Sequence, residues 1–318
     1  MLRGVRGRHG VTGPLFFQRL RRTATDRGVI GASGAPPAAE GRPDDFRLSR
    51  SRLIEDPELR AREVGSPLVC DEPIAFVDGT QRYEVIGYVA TMPLVAASIS
   101  AAVRLREGGH FRTVERADRR LLLGRPEALE AFGAVPSGLE AKPLEVDEPL
   151  HPLKALEHAQ RAIDSARTAL ERTLGARFRQ RHDGWLVVDG VLSDSEVWAN
   201  DPRAIGVSKS HATLPFEGDD LLRYLTLEPG HRSSVFEPTT WRFLPAHSWG
   251  LRLWDYRDKD LLHGLVRVEM AAGHCPTEVA DLVSRWLLAE RVPLARPDPR
   301  WDRLLYGVAA VERHLRAR

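Results

Sequence analysis

Two aspartates stand where carboxylates do chemistry. Asp78 closes the apolar run Ile74-Ala75-Phe76-Val77, and Asp189 closes Trp185-Leu186-Val187-Val188; each is followed by glycine. Continuous apolar runs of this length, rich in β-branched and aromatic residues, read as strands covered on both faces. A carboxylate at the exit of such a strand sits at the rim of a core, where clefts form. If the two strands are neighbours, their acids converge, and like charges share a point cheaply only when a cation neutralises them. Oxygen-only donors suit Mg²⁺ or Mn²⁺ rather than zinc. Two such ions about 3.5–4 Å apart are the apparatus of phosphodiester hydrolysis. An Asp-Gly pair also joins strands in ordinary turns, and an arginine can meet a buried carboxylate as well as a metal can.

The elements that must position these acids follow from hydrophobic patterning. A strand over 74–78, a turn, and strands over 83–90, 94–103 and 111–123 read as a meander. Residues 124–150, rich in Pro, Gly and Glu, read as loop. Pro152 opens a helix over 152–175, with Leu153, Leu156, Ala159, Ile163, Ala166, Leu170 and Leu174 in one stripe. The strand 185–189 follows a turn at Asp183-Gly184. Further strands are expected at 204–207, 233–236, 251–256 and 262–270, and helices at 219–227, 277–290 and 301–316. This order predicts an α/β fold of the ribonuclease H-like kind: a mixed central sheet flanked by helices. In that fold the first strand, a helix and the fourth strand each give one acid to a shared metal site.

Composition narrows the setting. The chain has 318 residues, 42% hydrophobic and 28% charged, with a formal net charge of +2, so charge alone announces no nucleic-acid partner. Lys142, Lys154, Lys209 and Lys259 are its only lysines; the basic charge is otherwise arginine, a planar fork suited to phosphate. Cys70 and Cys275 form neither a zinc spacing nor a disulfide framework, which suits a reducing cytoplasm. The longest largely apolar stretch, Met92 to Val103, is too short to span a bilayer. Residues 1–48 read as a basic, flexible arm, with a short helix candidate at 14–20, ahead of a domain over 49–318; a targeting peptide or a mis-annotated start would look similar. His211, His231, His247, His263 and His274 show no zinc spacing. No phosphate-binding loop is present, so any ATP use belongs to a partner.

Four short motifs in order resemble the NurA nucleases: Phe76-Val77-Asp78-Gly79-Thr80-Gln81-Arg82, the run Trp185 to Ser193, Gly206-Val207-Ser208-Lys209-Ser210, and Arg267-Val268-Glu269. The resemblance covers about residues 70–318. It implies a Mn²⁺- or Mg²⁺-dependent nuclease acting on DNA ends, a homodimer, and docking on the hexameric HerA ATPase. It implies metal-binding roles for Asp78 and Asp189 and a phosphate contact or water-ordering role for Lys209. The third acid is expected from the helix before the central strand: Glu171, eighteen residues before Asp189, with Glu157 as its rival and a surface ion pair to Arg167 as the ordinary alternative. Tyr306 and His314 share the spacing of a Tyr and a His near the family's C-terminus, which makes His314 a candidate fourth ligand, with Glu312 as another. Gly307 departs from the proline common there. Glu269 reads as structural more readily than catalytic. The competing expectations are a non-catalytic, DNA-clamping adaptor of an ATPase hexamer, and a ribonuclease H-like enzyme acting on RNA or a hybrid.

Overall fold

The computed structural model describes residues 47–144, 151–193, 195–239, 245–274, 277–292 and 301–316. The helix candidate at 14–20, the arm up to residue 46 and Cys275 lie outside them. Arg47 and Leu48, assigned to the arm, pair in parallel with Thr213 and Leu214.

Three long antiparallel strands open the core: β1 (Ile74–Val89), β2 (Met92–Glu107) and β3 (His110–Gly124). A short helix, α1 (Pro126–Phe132), and β4 (Glu140–Pro143) follow where the composition suggested only loop. The long helix α2 (Pro152–Arg181) crosses over to β5 (Trp185–Asp189). It starts at Pro152, which loses no hydrogen bond at a first helical position, while the His151 ring accepts from Leu153 N at 3.1 Å. Arg179 and Arg181 in its last turn complement the helix dipole. Then come β6 (Ala204–Ser208), α3 (Gly218–Leu225), β7 (Ala246–Arg252), β8 (Leu265–Ala271), α4 (Thr277–Glu290) and α5 (Tyr306–Arg316).

These strands form one mixed sheet, in the order β7-β8-β6-β5-β1-β2-β3-β4 through its middle. After the crossover, β5 lies parallel beside β1, with Ile74 opposite Trp185 and Val77 opposite Val188. The next strand, β6, lies parallel on its far side. This is the α/β architecture expected from the order of elements. Side-chain alternation along β1 covers both faces. Ile74 and Phe76 pack with α4 and α5; Ala75 and Val77 pack against the apolar stripe of α2.

Three expectations need correction. Asp78-Gly79 is no turn: β1 runs straight through it for 16 residues, and the chain reverses at Ala90-Thr91, where Ala90 has φ 52°. The expected strand at 251–256 lies earlier, at Ala246–Arg252, because Arg252 is itself buried in the sheet. Its guanidinium donates to the carbonyls of Leu225 at 2.6 Å, Leu261 at 3.0 Å and Leu227 at 3.2 Å, so a charged residue there does not mark an exit to solvent. The third concerns Gly307. It lies in the first turn of α5, and a methyl there would run into the Phe76 ring, so glycine lets the helix lie flat on β1. Gly307→Ala should cost about 1–3 kcal/mol through overpacking, read as a lower midpoint in urea unfolding with an unchanged slope. An unchanged midpoint would mean that α5 is held elsewhere.

Candidate active site

The parallel pairing of β1 and β5 determines where the first two acids go. Val77 faces Val188 across the ladder, so Asp78 and Asp189 leave neighbouring strands at equivalent positions, on strands about 4.8 Å apart. Asp78 continues the Phe76 face and is 4% exposed. Its Oδ1 accepts from Gly79 N at 2.8 Å. Its Oδ2 is buried with no hydrogen-bond partner among the described residues.

Glu171 reaches the same point from α2, on the other side of the sheet. It is buried, and it sits over the bare Cα of Gly79: a methyl there would stand 2.5 Å from Glu171 Oε1. Glu312, on α5, lines the cleft with Asp78 and Asp189 and adds a further negative charge beside Asp78. Burial, reinforced by Asp189 and Glu171, pushes the Asp78 carboxyl well above the usual carboxylate range, against the pull of Lys209. Burial likewise raises Glu171 to about 7; Arg167 opposes the rise and Asp189 adds to it. Asp78 on β1 thus feels the charge of three further carboxylates, from α2, β5 and α5.

Three bases offset part of this charge, one of them Arg316, 3.5 Å from Glu312 Oε2 on α5. Lys209, just beyond β6, donates to Asp189 Oδ2 at 2.8 Å. Arg167, one turn before Glu171, donates to Glu171 Oε1 at 2.5 Å. The i−4 ion pair read from the sequence is therefore present, but inside the cleft rather than on a solvated face.

The remaining candidates are elsewhere. Glu157 pairs with Arg161 at 3.8 Å, two helical segments from the cluster. His314 turns from the acids; its Nε2 lies 3.2 Å from Thr113 Oγ1 and 3.3 Å from Arg116 Nη1. Tyr306 lines a separate cavity beside Phe111. Glu269 is buried on β8, where it accepts from Leu192 N at 2.9 Å, Ser193 N at 3.4 Å and Ser248 Oγ at 3.3 Å, beside Arg267 Nη2 at 3.2 Å. It anchors the loop that follows Asp189, which also packs tightly on Gly206.

The donor chemistry of this cluster fits a divalent ion: oxygen ligands, an orphaned buried carboxylate oxygen, and more negative charge than the bases cancel. The geometry is not yet that of a ligand shell. Among the described residues no three acid, histidine or cysteine side chains form a ready metal-holding group, because Asp189 and Glu171 are each engaged by a base. Lys209 on Asp189 and Arg167 on Glu171 supply counter-charge at two of these acids.

The cluster opens into a cleft of about 820 Å³ whose walls carry Arg82, Arg116, Arg120, Arg167 and Arg316. Among the described residues no helix is long and apolar enough to cross a membrane. What fold and site define is a mixed-sheet α/β protein with a buried acid cluster at the centre of its sheet, beside an arginine-lined cleft.

No family model matches the chain, and no curated protein matches it. Among solved structures it is similar to the NurA nuclease from Sulfolobus solfataricus, with 11% identity, 79% of this chain and 80% of that one covered, and a TM-score of 0.47. It is also similar to the catalytic domain of human Endonuclease V, with 12% identity, 96% and 98% covered, and a TM-score of 0.32. At these identities the likeness reaches no individual residue.

Glu269→Ala should lower stability by roughly 3 kcal/mol, because it strands buried donors of the 190–193 loop and the Arg267 charge. Chemical denaturation measures this; a loss below about 1 kcal/mol would show that the loop is anchored by other contacts.

Proposed function

We propose that this chain is a divalent-metal-dependent deoxyribonuclease that hydrolyses phosphodiester bonds at DNA ends. The observation that carries the reading is that Asp78, Asp189 and Glu312 line one arginine-lined cleft, and that Asp189, Glu171 and Glu312 all act with their charge on the buried Asp78. Asp78, Glu171 and Asp189 would hold one or two Mg²⁺ or Mn²⁺ ions, with Glu312, rather than His314, as the nearest further ligand. A bound ion supplies a hydroxide at neutral pH and offsets the charge of the leaving oxygen. Gly79 keeps the space that Glu171 needs. Lys209 is placed to exchange Asp189 for a phosphate oxygen once that acid is otherwise neutralised, and Arg167 can do the same from Glu171. Arg120 and Arg82 lie further along the cleft, where they can follow a phosphate backbone without reading bases, which makes binding salt-sensitive.

The resemblance to the NurA nucleases supports the same reading and supplies its context: a homodimer working with a HerA-type hexameric ATPase in DNA end processing. The absence of a phosphate-binding loop from the sequence agrees with ATP use lying in such a partner.

A second reading is a non-catalytic, DNA-clamping adaptor of an ATPase hexamer. The ion pairs Lys209–Asp189 and Arg167–Glu171 favour it, since they are what a site without metal would need.

Digestion of single- and double-stranded DNA in Mn²⁺ separates the two. Asp78→Asn and Asp189→Asn should each leave no detectable cleavage while melting cooperatively; full Mn²⁺-dependent activity in both would end the nuclease assignment, and an inactive wild type would favour the adaptor. Side-by-side RNA and hybrid substrates report the sugar preference. Gly79→Ala is a finer probe. Its new methyl would stand 2.5 Å from Glu171 Oε1 and 3.0 Å from Arg167 Cγ, so it should push both side chains aside and lose activity, at a cost of about 1–3 kcal/mol in stability; retained activity would remove Glu171 from the reaction.

A further inference from the structure

Behind the acids lies a second cavity, of about 360 Å³, that shares Arg167 and Asp189 with the open cleft. Its other walls come from α2, from the loop after β5 and from the strand end that carries Ser208, and they include Arg172, Trp198 and Arg267. These three residues have a common property. Arg172 Nε, Arg267 Nε and Trp198 Nε1 are buried N–H groups with no acceptor among the described residues. A stranded buried donor costs about 1–3 kcal/mol, and buried donors in native proteins are nearly always met. Three around one cavity point to an acceptor that arrives from outside. Guanidinium groups select a phosphate or carboxylate. Of the three guanidiniums that line the cavity with Glu171 and Asp189, Arg167 already holds Glu171 and Arg267 holds Glu269 through Nη2, which leaves Arg172 and the Nε edge of Arg267 to an anion whose other end rests at the acids. Its size suits one small ligand and not a continuing strand.

We propose that this cavity receives the terminal nucleotide of a DNA strand, with Arg172 and Arg267 binding its terminal phosphomonoester. The open cleft then carries the rest of the strand, and the acids stand at the boundary between the two. The enzyme thus recognises a phosphorylated end. The assignment of the occupant as DNA rests on the nuclease reading above; the phosphate site itself rests on the unmet donors.

Calorimetric titration of the full chain, in metal-free buffer, with thymidine 5′-monophosphate, thymidine 3′-monophosphate, thymidine and inorganic phosphate tests the site without cleavage. One of the two monophosphates should bind at least tenfold tighter than thymidine and inorganic phosphate, and the one that does identifies the strand end. Arg172→Ala and Arg267→Ala should each weaken it tenfold or more. Arg172→Lys, which keeps the charge but removes the Nε donor, should weaken it in a chain that melts like the wild type. Inorganic phosphate binding as tightly as either nucleotide, or affinities unmoved by the substitutions, would overturn the proposal. Digestion of strands with phosphate or hydroxyl at either end provides the second arm: the wild type should favour the phosphorylated end, and the ratio should fall toward one in Arg172→Ala. Cleavage indifferent to end phosphates, with no nucleotide binding, would overturn the pocket and leave the nuclease standing. Nucleotide binding lost in Arg172→Ala, in a chain that cuts no DNA, would uphold the phosphate site and remove the nuclease.

Discussion

The register between β1 and β5 is the constraint on which the site depends. Two strands, remote in sequence, pair in parallel so that Asp78 and Asp189 emerge at one level of the sheet. A slip of one residue would send one of them to the opposite face. The apolar runs that precede the aspartates hold this register, because their alternate side chains fill the layers on both faces. Core packing therefore sets the distance between two charges that repel each other. The free energy of that packing keeps them together without an ion.

The surrounding structure manages the repulsion. Glycine at 79 lets Glu171 approach from α2, and glycine at 307 lets α5 lie close enough for Glu312 to approach from the other side. Lys209, Arg167 and Arg316 then offset three of the four carboxylates, while Asp78 is left most exposed to its neighbours' charge and least to water. Burial and those charges hold its carboxyl well above the usual carboxylate range. Glu269 stands apart from this chemistry: it holds the loop after Asp189 in place, so the strand end stays where the ladder puts it.

Much of this was legible in the sequence. The two Asp-Gly runs, the long helix with its single apolar stripe, and the strands at 185–189 and 204–208 follow directly from periodicity. The Asp78-Gly79 turn was misread because local turn chemistry competes with strand pairing, and here a long partner strand, β2, wins. The role of Gly79 was not legible, since the need for a missing side chain appears only when a helix 90 residues away crosses it. The choice of Glu312 over His314 depends on how α5 crosses the sheet, which brings His314 to Thr113 and Arg116 on β3. Buried Arg232 escaped notice for a related reason. It is held by Glu55 at 2.7 Å and Asp281 at 2.5 Å, partners 177 and 49 positions away, so no local pattern marks it as part of the core.

Asp78, Glu171 and Asp189 are proposed to hold a cation together. Anomalous diffraction from crystals grown with Mn²⁺ tests it most directly. One or two manganese peaks should lie between the carboxylates of Asp78 and Asp189, at ligand distances of about 2.0–2.3 Å, with Lys209 turned away from Asp189. Crystals soaked at millimolar Mn²⁺ that show no peak there, with Lys209 still on Asp189 and Arg167 still on Glu171, would contradict it.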